Sequence, residues 1–475
     1  MANPNVLSER YATETNDIFS ERGKVISERE LWIAVMKAQK ELGVDIPAGD
    51  IAKFEAAKRD VDLDLIREIE ERTRHDVKAK IEAFVKVSGA GEHLHRAMTS
   101  RDLTDNVEQM QIRDASKLIF GRYISVLRHF ADNARKYEDI VLVARTHHQP
   151  AQPTLLGRRF AMWTEELTLH LESFEKFIDA YPLRGIKGAV GTQFDMLTLL
   201  GDPKKVKRLE EIVAQKLGFT RTLNCPGQVY PRSLDSSLVS HLSFLGSSPE
   251  NFGKTMRLMA GYELVEEGFK ESQVGSTAMP YKMNTRSSER VCSFAELLKM
   301  YADGASRLAG DQWEEGDVSC SALRRVIIPD AFYTSDGLCE TTLTVLNEMG
   351  AYPKVIEAEL DRYLPLMATT EVLTMATQIG VGREVAHKAI KKHTVNEALR
   401  MRREGSRENR VAELLVSDPA FSSVGITKSD IEGIIADRSH FIGSAKRQID
   451  EVAVRALDFI YRYSTESSYE PREIL

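Results

Sequence analysis

One ten-residue stretch carries residue types that could do chemistry at a spacing that periodic structure does not explain. Residues 275–284 read GSTAMPYKMN. Gly, Ser and Thr favour a loop, and Met279 before Pro280 restrains the backbone ahead of Lys282. Ser276 and Lys282 lie six residues apart, so the loop could hold a nucleophile or base beside the cation that stabilises its anion. A surface loop with a solvated lysine is the competing interpretation, because most loops carry no chemistry.

The same ten residues resemble the signature loop of the fumarase/aspartase superfamily, usually written GSSxMPxKxN. The matching positions are Gly275, Ser276, Met279, Pro280, Lys282 and Asn284. Thr277 keeps a hydroxyl where a second serine is common. Members of this superfamily are homotetrameric, mostly helical lyases that eliminate fumarate from a succinyl adduct. The resemblance therefore implies an all-α fold in three regions, with a central long-helix bundle that assembles into a 20-helix tetramer core.

Further motifs narrow the resemblance to the adenylosuccinate lyase family. They are Arg10-Tyr11, Arg74-His75-Asp76-Val77, Met98-Thr99-Ser100, Arg145-Thr146-His147, Arg362-Tyr363-Leu364-Pro365 and Gly382-Arg383-Glu384. The match covers nearly the whole chain. It implies β-elimination of fumarate from adenylosuccinate, giving AMP, and from succinylaminoimidazole carboxamide ribotide (SAICAR), giving AICAR, in purine biosynthesis. Another lyase of the superfamily, such as argininosuccinate lyase or a carboxymuconate cycloisomerase, and a non-catalytic scaffold on the same fold are the alternatives.

The resemblance also implies catalytic roles for four residues. Ser276 is expected to act as the general base, in its alkoxide form. A serine hydroxyl is a poor base unless its anion is stabilised, so Lys282 and loop N–H groups are expected to do this. His147 is expected to protonate the departing nitrogen, since imidazole can donate a proton near neutral pH. His75 is expected to complete the acid or phosphate side of the pocket, oriented by Asp76.

The remaining motif residues are implied substrate ligands. The succinyl carboxylates and the base are assigned to Lys282, Asn284, Thr99, Ser100 and Gln228. The 5′-phosphate is assigned to Arg10, Tyr11, Ser321 and Arg325, because arginine forks suit phosphate. Arg74, Asp76 and Thr146 complete the expected binding set. Each site is expected to draw on three subunits of the tetramer.

One position departs from the family pattern. The family often carries an arginine nine residues before the position of Arg325, and this chain has Gly316 there. Losing a charge-assisted hydrogen bond costs about 1.5–3 kcal/mol if nothing replaces it. Arg324 and Arg286 are candidates for the replacement. The preference between the two substrates is therefore open.

Long amphipathic helices are the elements that must position these loops. Apolar residues recur at spacings of three and four over residues 156–178 and 291–308, and a helix is predicted from Pro329 to Gly350. Residues 28–42 and 71–87 carry similar stripes. Such one-sided helices must bury their stripes in a bundle, within the chain or between subunits.

We predict three regions along the chain: a helical domain at 1–110, a central bundle at 111–365 and a C-terminal domain at 366–475. The third region has shorter predicted helices at 373–379 and 384–398, separated by Gly380-Val-Gly382. Five polar stretches fall between predicted helices, at residues 145–154, 184–192, 224–232, 275–284 and 312–325. This is the usual arrangement of functional loops on a rigid scaffold.

Bulk composition excludes several classes of partner. The 475 residues are 42% hydrophobic and 28% charged, as in soluble globular proteins. The net charge of −7 comes without basic clusters, which argues against nucleic acid. No apolar run is long enough to span a membrane, and the N-terminus has no secretory pattern. The four cysteines lack CxxC spacing, which favours a reducing cytoplasm.

Two further patterns do not complete a site. Residues 185–192 read GIKGAVGT but lack the Gly-Lys-Ser/Thr ending of a phosphate-binding loop, so a tight turn is favoured. The histidines show no HExxH motif or matching set of carboxylates, so no metal is expected. No cofactor is expected either, because the succinyl carboxylate itself accepts the electrons in the elimination.

Overall fold

The computed structural model describes residues 5–268 and 278–472, and these are mainly α-helical. The N-terminal helices are α1 (Val6–Arg10), α2 (Glu14–Phe19), α3 (Glu21–Glu41), α4 (Ala48–Ala57), α5 (Leu63–Thr73) and α6 (Asp76–Ser88). The middle of the chain contains α7 (Ser100–Lys136), β1 (Val141–Thr146), β2 (Gln149–Leu155), α8 (Leu156–Ala180), α9 (Phe194–Leu200), α10 (Pro203–Lys216), α11 (Ser233–Leu245), α12 (Ser247–Gly261), β3 (Val265–Glu266), α13 (Arg286–Ser306), α14 (Ser321–Glu348) and β4 (Gly350–Ala351).

The C-terminal helices are shorter. They are α15 (Pro353–Met367), α16 (Thr369–Gln378), α17 (Arg383–Glu404), α18 (Val411–Val416), α19 (Pro419–Ser422), α20 (Lys428–Ala436), a 3-10 helix at Arg438–Ile442, α21 (Ala445–Arg462) and α22 (Ser464–Ser467). As predicted, α16 and α17 are separated at residues 380–382. No helix in the described ranges is both long and apolar enough to cross a bilayer.

The core is a bundle in which α7, α8, α13 and α14 pack along their lengths, with α11, α12 and α21 around them. The predicted stripes of α8 and α13 supply much of it: Phe160, Leu167 and Phe174 are buried on α8, and Val291 and Leu298 on α13. Burial of such side chains is the main stabilising term in folding. The bundle thus provides long rigid rods whose ends carry the loops.

The predicted division at residues 110 and 365 stays a prediction. Helix α7 runs without a break through residue 110. A separate small core lies within residues 372–431, whereas α21 returns to pack on α7 and α8. The last described residues lie along α7 as well, since Arg128 Nε donates to Ser467 O at 2.7 Å.

The helix predicted over residues 71–87 is present as α6, but its predicted start was wrong, because the chain breaks before Asp76. Helix α5 ends at Thr73, and Arg74 adopts a left-handed conformation with φ 55°. His75 then caps α6 by accepting a hydrogen bond from the Lys78 N–H. Residues 70–76 are polar but contain no Gly or Pro, the residues that usually mark a helix end in a sequence. The break matters because it places Arg74, His75 and Asp76 at the exposed junction of two helices.

The helix start predicted at Pro329 was also wrong, since α14 begins at Ser321 and contains Pro329. Proline inside a helix removes one hydrogen bond and costs about 3 kcal/mol. Here the turns before it are held by tertiary contacts. Arg324 is 4% exposed and donates to Asp235 and to Glu108, each at 2.6 Å. The structure therefore continues the helix eight residues upstream of the proline, to Ser321.

The polar stretch at 145–154, predicted as a plain connection, belongs to a β-hairpin. Strands β1 and β2 pair antiparallel, with Val141 opposite Leu155 and Thr146 opposite Gln149. His147 and His148 form the two-residue turn with φ 50° and 59°. Two-residue hairpin turns of this kind need positive φ. The hairpin thus presents its two histidines at a tip.

Candidate active site

The first group of predicted site residues, which we name the α7 cluster, comprises His75, Thr99 and Ser100 together with His95. These four line one cavity of about 920 Å³ between α5, α6 and the start of α7. Thr99 is the N-cap of α7. A helix N-terminus carries free N–H groups and partial positive charge, which favours anions. The cluster can therefore hold a carboxylate or phosphate.

His95, for which no role was predicted from the sequence, also lines this cavity. Trp32 Nε1 donates to His95 Nδ1 at 3.1 Å. This contact makes Nδ1 the acceptor and leaves Nε2 to carry the proton of the neutral ring. Burial lowers the pKa of His95. The neighbouring His93 has a structural contact instead, because its Nε2 lies 3.0 Å from Asp50 Oδ2.

The Asp102 carboxylate holds the start of the α7 cluster in place, and no role was predicted for it from the sequence. The carboxylate is fully buried. It accepts hydrogen bonds from Thr99 N at 2.8 Å, from Arg184 Nη1 at 2.6 Å and from the amides of Lys187 and Gly188 at 2.8 and 3.0 Å. The Gly-rich stretch is thus a buried turn wrapped around one carboxylate. A phosphate-binding role for it is excluded, since Asp102 occupies those amides.

The second group lies where α14 begins and contains Gln228, Ser321 and Arg325. Gln228 N donates to Glu315 O at 2.6 Å, which joins the loop before α11 to the loop before α14. Tyr230 OH then accepts from Arg324 and donates to Asp235 Oδ1 at 2.7 Å. Arg325, the next residue of α14, is exposed.

Gly316 lies in this second group, and its backbone explains why no side chain is present. Its φ is 138°, and a Cβ there would lie 3.0 Å from Val229 Cγ2. An arginine at this position would be strained. Arg324 was a candidate replacement for the missing charge, but it is taken by two carboxylates. Arg286, the other candidate, lies exposed at the first turn of α13.

The third group joins the N-terminus to α13. The Tyr11 ring packs edge-on against Phe294 with centroids 5.0 Å apart, and the Arg290 guanidinium lies 5.5 Å from the Tyr11 ring. Asp336 holds the next residues, accepting from Thr13 N at 2.7 Å. Arg10 is exposed beside them.

The signature loop enters α13 at this third group. Lys282 is exposed, Asn284 is partly buried, and the Lys282 N–H donates to Met279 O at 3.0 Å in a turn. The predicted base, Ser276, lies outside the described residues, as do Gly275 and Thr277. The described part of the loop therefore presents the predicted cation, Lys282, toward solvent.

The fourth group is the hairpin tip. His147 and Thr146 are exposed. Below them the Arg145 guanidinium is paired with Glu359 and lies 4.5 Å from the Tyr262 ring. Tyr262 OH is 3.2 Å from His148 Nε2. Contacts to α12 and α15 thus hold the tip, while the His147 ring is free to meet a substrate.

The hairpin tip and the α7 cluster are too far apart to meet within one chain. Helix α7 has 37 residues and spans about 55 Å at about 1.5 Å per residue. Thr99 caps one end and Tyr137 the other. The chain turns at Tyr137, since Ile140 N donates to Tyr137 O, and an extended strand from Ile140 to His147 reaches about 23 Å. Even if this strand ran straight back along α7, His147 would remain roughly 25 Å from Thr99.

Comparison with known proteins identifies the family. A family model described as "Lyase" matches residues 5–296, and one described as "Adenylosuccinate lyase C-terminus" matches residues 365–452. The adenylosuccinate lyase of Schistosoma mansoni is 33% identical over 94% of this chain and 93% of that protein. That of Saccharomyces cerevisiae is 34% identical over 94% and 92%. The chain belongs to the adenylosuccinate lyase family.

Solved structures show the same fold. The 3-carboxy-cis,cis-muconate lactonizing enzyme of Pseudomonas putida superposes with a TM-score of 0.81 and 21% identity, covering 96% of this chain and 100% of that one. At this identity the likeness establishes the fold alone. It confirms the predicted all-α lyase fold, and the relatives confirm the resemblance to the adenylosuccinate lyase family.

Membership of the adenylosuccinate lyase family does not by itself test the roles of single residues. The structure brings His75, Thr99 and Ser100 to one cavity. It also joins the backbone of Gln228 to the loop that leads into α14, on which Ser321 and Arg325 lie. His147 lies roughly 25 Å or more from Thr99 in the same chain. Within the described ranges, no three His, Cys, Asp or Glu side chains form a metal-binding group. The assigned roles stay predictions.

Proposed function

We propose that this protein cleaves adenylosuccinate to AMP and fumarate, and SAICAR to AICAR and fumarate, in purine biosynthesis. The identity of about one residue in three to two adenylosuccinate lyases, over 94% of the chain, carries this proposal. The sequence retains Ser276, Lys282 and His147. The presence of these three residues speaks against a non-catalytic scaffold.

The proposed reaction is a β-elimination. Ser276, as an alkoxide, removes the proton from the carbon next to a succinyl carboxylate, and the electron pair collapses into that carboxylate. The doubly negative intermediate needs nearby donors, which Lys282, Asn284 and the hydroxyls of Thr99 and Ser100 supply. The C–N bond then breaks as His147 protonates the departing nitrogen. No redox step is involved.

The proposed assembly is a homotetramer with sites built from three subunits. The separation of about 25 Å or more between His147 and Thr99 supports this, because one succinyl group cannot bridge such a distance. Exposed apolar side chains on four adjacent helices supply faces that other copies could cover. They are Phe244 on α11, Leu258 on α12, Met300 on α13 and Val326 on α14.

Lys24 is the proposed replacement for the charge missing at Gly316. It lines a cavity of about 180 Å³ together with Arg324, Arg325 and Glu108. Glu108 is neutralised by Arg324 at 2.6 Å, so Lys24 and Arg325 leave the cavity with a net positive lining. Two cations facing one cavity suit a phosphate monoester.

The four cysteines are free thiols, three of them buried. Free thiols persist in reducing compartments, which supports a cytoplasmic location as part of the proposal.

The test is turnover of adenylosuccinate, followed by fumarate release. Wild type is compared with Ser276→Ala and with Ser272→Ala, the same change four residues earlier in the chain. Wild type and Ser272→Ala should release fumarate and AMP. The turnover rate of Ser276→Ala should be lower by about a hundredfold or more. Turnover that survives in Ser276→Ala would remove Ser276 as the base. Absence of turnover in folded wild type would refute the proposed substrate, and argininosuccinate would be tried next.

A further inference from the structure

Helix α13, which directly follows the signature loop, has no cap of its own. The N-cap residue Thr285 makes no side-chain hydrogen bond to the helix. The first-turn amides of Ser287 and Ser288 donate instead to the carboxylate of Glu267, each at 2.9 Å. Ser288 Oγ donates to the same carboxylate at 2.8 Å. A residue from before the loop thus caps the helix that comes after it.

Glu267 is itself held in place. Its relative exposure is 9%. It follows β3, whose Val265 and Glu266 pair with Ala351 and Gly350 of β4 at the end of α14. The next residue, Gly268, lies against Glu348, since a Cβ there would be 2.5 Å from Glu348 Cβ. The carboxylate therefore connects a fixed strand to the start of α13.

We propose that Glu267 is a positioning residue, whose carboxylate closes the base of the signature loop and so sets where Lys282 and Asn284 stand. This inference rests on the proposed function, in which those two residues bind the succinyl carboxylates. Three hydrogen bonds to one carboxylate at a helix N-terminus combine charge-assisted bonding with the helix dipole. Without them, α13 keeps its side-chain packing but its first turn loses the tie to β3.

A shift at the start of α13 would also affect the part of the site that contains Tyr11. Arg290 lies one turn into α13 and contacts the Tyr11 ring. A shift of the first turn would therefore move Lys282, Asn284 and Arg290 together. Misplacing binding groups by about 1 Å can cost about a hundredfold in rate. The effect should appear in kcat/KM even when the protein is folded.

The test is a double-mutant cycle between Glu267 and Ser288, measured on kcat/KM for adenylosuccinate. Glu267→Gln keeps the side-chain size and removes the charge, and Ser288→Ala removes only the hydroxyl donor. We expect kcat/KM to fall about tenfold or more in Glu267→Gln and about threefold in Ser288→Ala. The double variant should lose no more than Glu267→Gln alone, because both changes break the same contact.

Asp202→Asn is the matched control. Asp202 also caps a helix, accepting from Lys204 N at 2.8 Å at the start of α10, but it lies away from the predicted site residues along the chain. Asparagine caps helices about as well as aspartate, so Asp202→Asn should change the apparent Tm little and leave kcat/KM within about twofold. Ser288→Ala, a small change that keeps both backbone bonds, keeps the test decisive even if Glu267→Gln does not fold.

Three results would overturn the inference: Glu267→Gln with kcat/KM within about twofold of wild type, Ser288→Ala with no loss, or a double variant whose loss is the product of the two single losses. These failures differ from failure of the proposed function, which would appear as an inactive wild type.

Discussion

Removing the charge of Asp102 should destabilise the protein more than removing either charge from an exposed pair. Asp102 and Arg184 are both fully buried and lie 2.6 Å apart. Asp102→Asn keeps a carbonyl acceptor but leaves the Arg184 guanidinium without a counter-charge. Breaking a buried pair in this way costs about 3–5 kcal/mol. Arg184 retains carbonyl partners, Gly188 O and Gly227 O at 3.1 Å each, which places the expected loss at the lower end.

The double variant Asp102→Asn/Arg184→Met tests whether the loss of stability comes from the unpaired charge of Arg184. It removes the stranded charge, so the remaining loss should be that of missing hydrogen bonds, about 1–3 kcal/mol. The double variant should therefore be more stable than Asp102→Asn alone. Apparent Tm by calorimetry, at one protein concentration, ranks the variants without a two-state assumption.

An exposed pair supplies the control. Arg208 and Glu211 lie 3.1 Å apart with about half of each side chain exposed, so Glu211→Ala should change stability by less than about 1 kcal/mol. A double variant less stable than Asp102→Asn, or a loss on Asp102→Asn no larger than that of Glu211→Ala, would refute the reasoning.

Three further predictions follow from other contacts. Lys24→Met should raise KM for adenylosuccinate about tenfold and change kcat less; an unchanged KM would remove Lys24 from the phosphate site. Gly316→Ala should lower the apparent Tm, because its φ of 138° is strained for any side chain; equal thermal stability would contradict this. The pKa of Glu14 is about 2, because burial, which alone raises it, is outweighed by hydrogen bonding and by the charges of Arg122 and Arg472. The ionised Glu14 carboxylate therefore stabilises the folded protein above its ordinary pKa of 4.5, and this contribution is lost as pH falls toward 2. Because the Glu14 side chain is about half exposed, the contribution is less than about 1 kcal/mol. The Tm difference between wild type and Glu14→Gln should therefore shrink from pH 5 to pH 3, and a constant difference would refute it.

The helices could be predicted where a single helix buries a single stripe of apolar side chains. The stripe from Leu156 to Ile178 predicted α8 almost residue for residue, because burial of that face outweighs every local preference. The same reasoning missed the boundary at Arg74, where a left-handed residue with no Gly or Pro signal separates α5 from α6. It also failed at Pro329, where the buried Arg324 contacts outweigh a local stop signal.

The site was predictable as motifs but not as geometry. Short motifs place reactive types next to one another along the chain, and the structure brings His75 and Thr99 to one cavity. The groups that fix them come from elsewhere. Asp102 accepts a hydrogen bond from Arg184, which lies 82 positions further along the chain. Glu267 accepts one from Ser288, on the other side of the signature loop in the sequence. Spacing carries no signal of such pairs, because long-range contacts are set by packing.

Subunit complementation tests the central claim most directly, namely adenylosuccinate cleavage at sites shared between chains. Ser276→Ala and His147→Ala would each be purified, mixed under conditions that exchange subunits, and assayed for fumarate release. Each variant alone should be nearly inactive. If His147 and Ser276 come to a site from different chains, random mixing should restore about a quarter of wild-type sites. A mixture that exchanges subunits and stays as inactive as its components, beside an active wild type, would contradict shared sites.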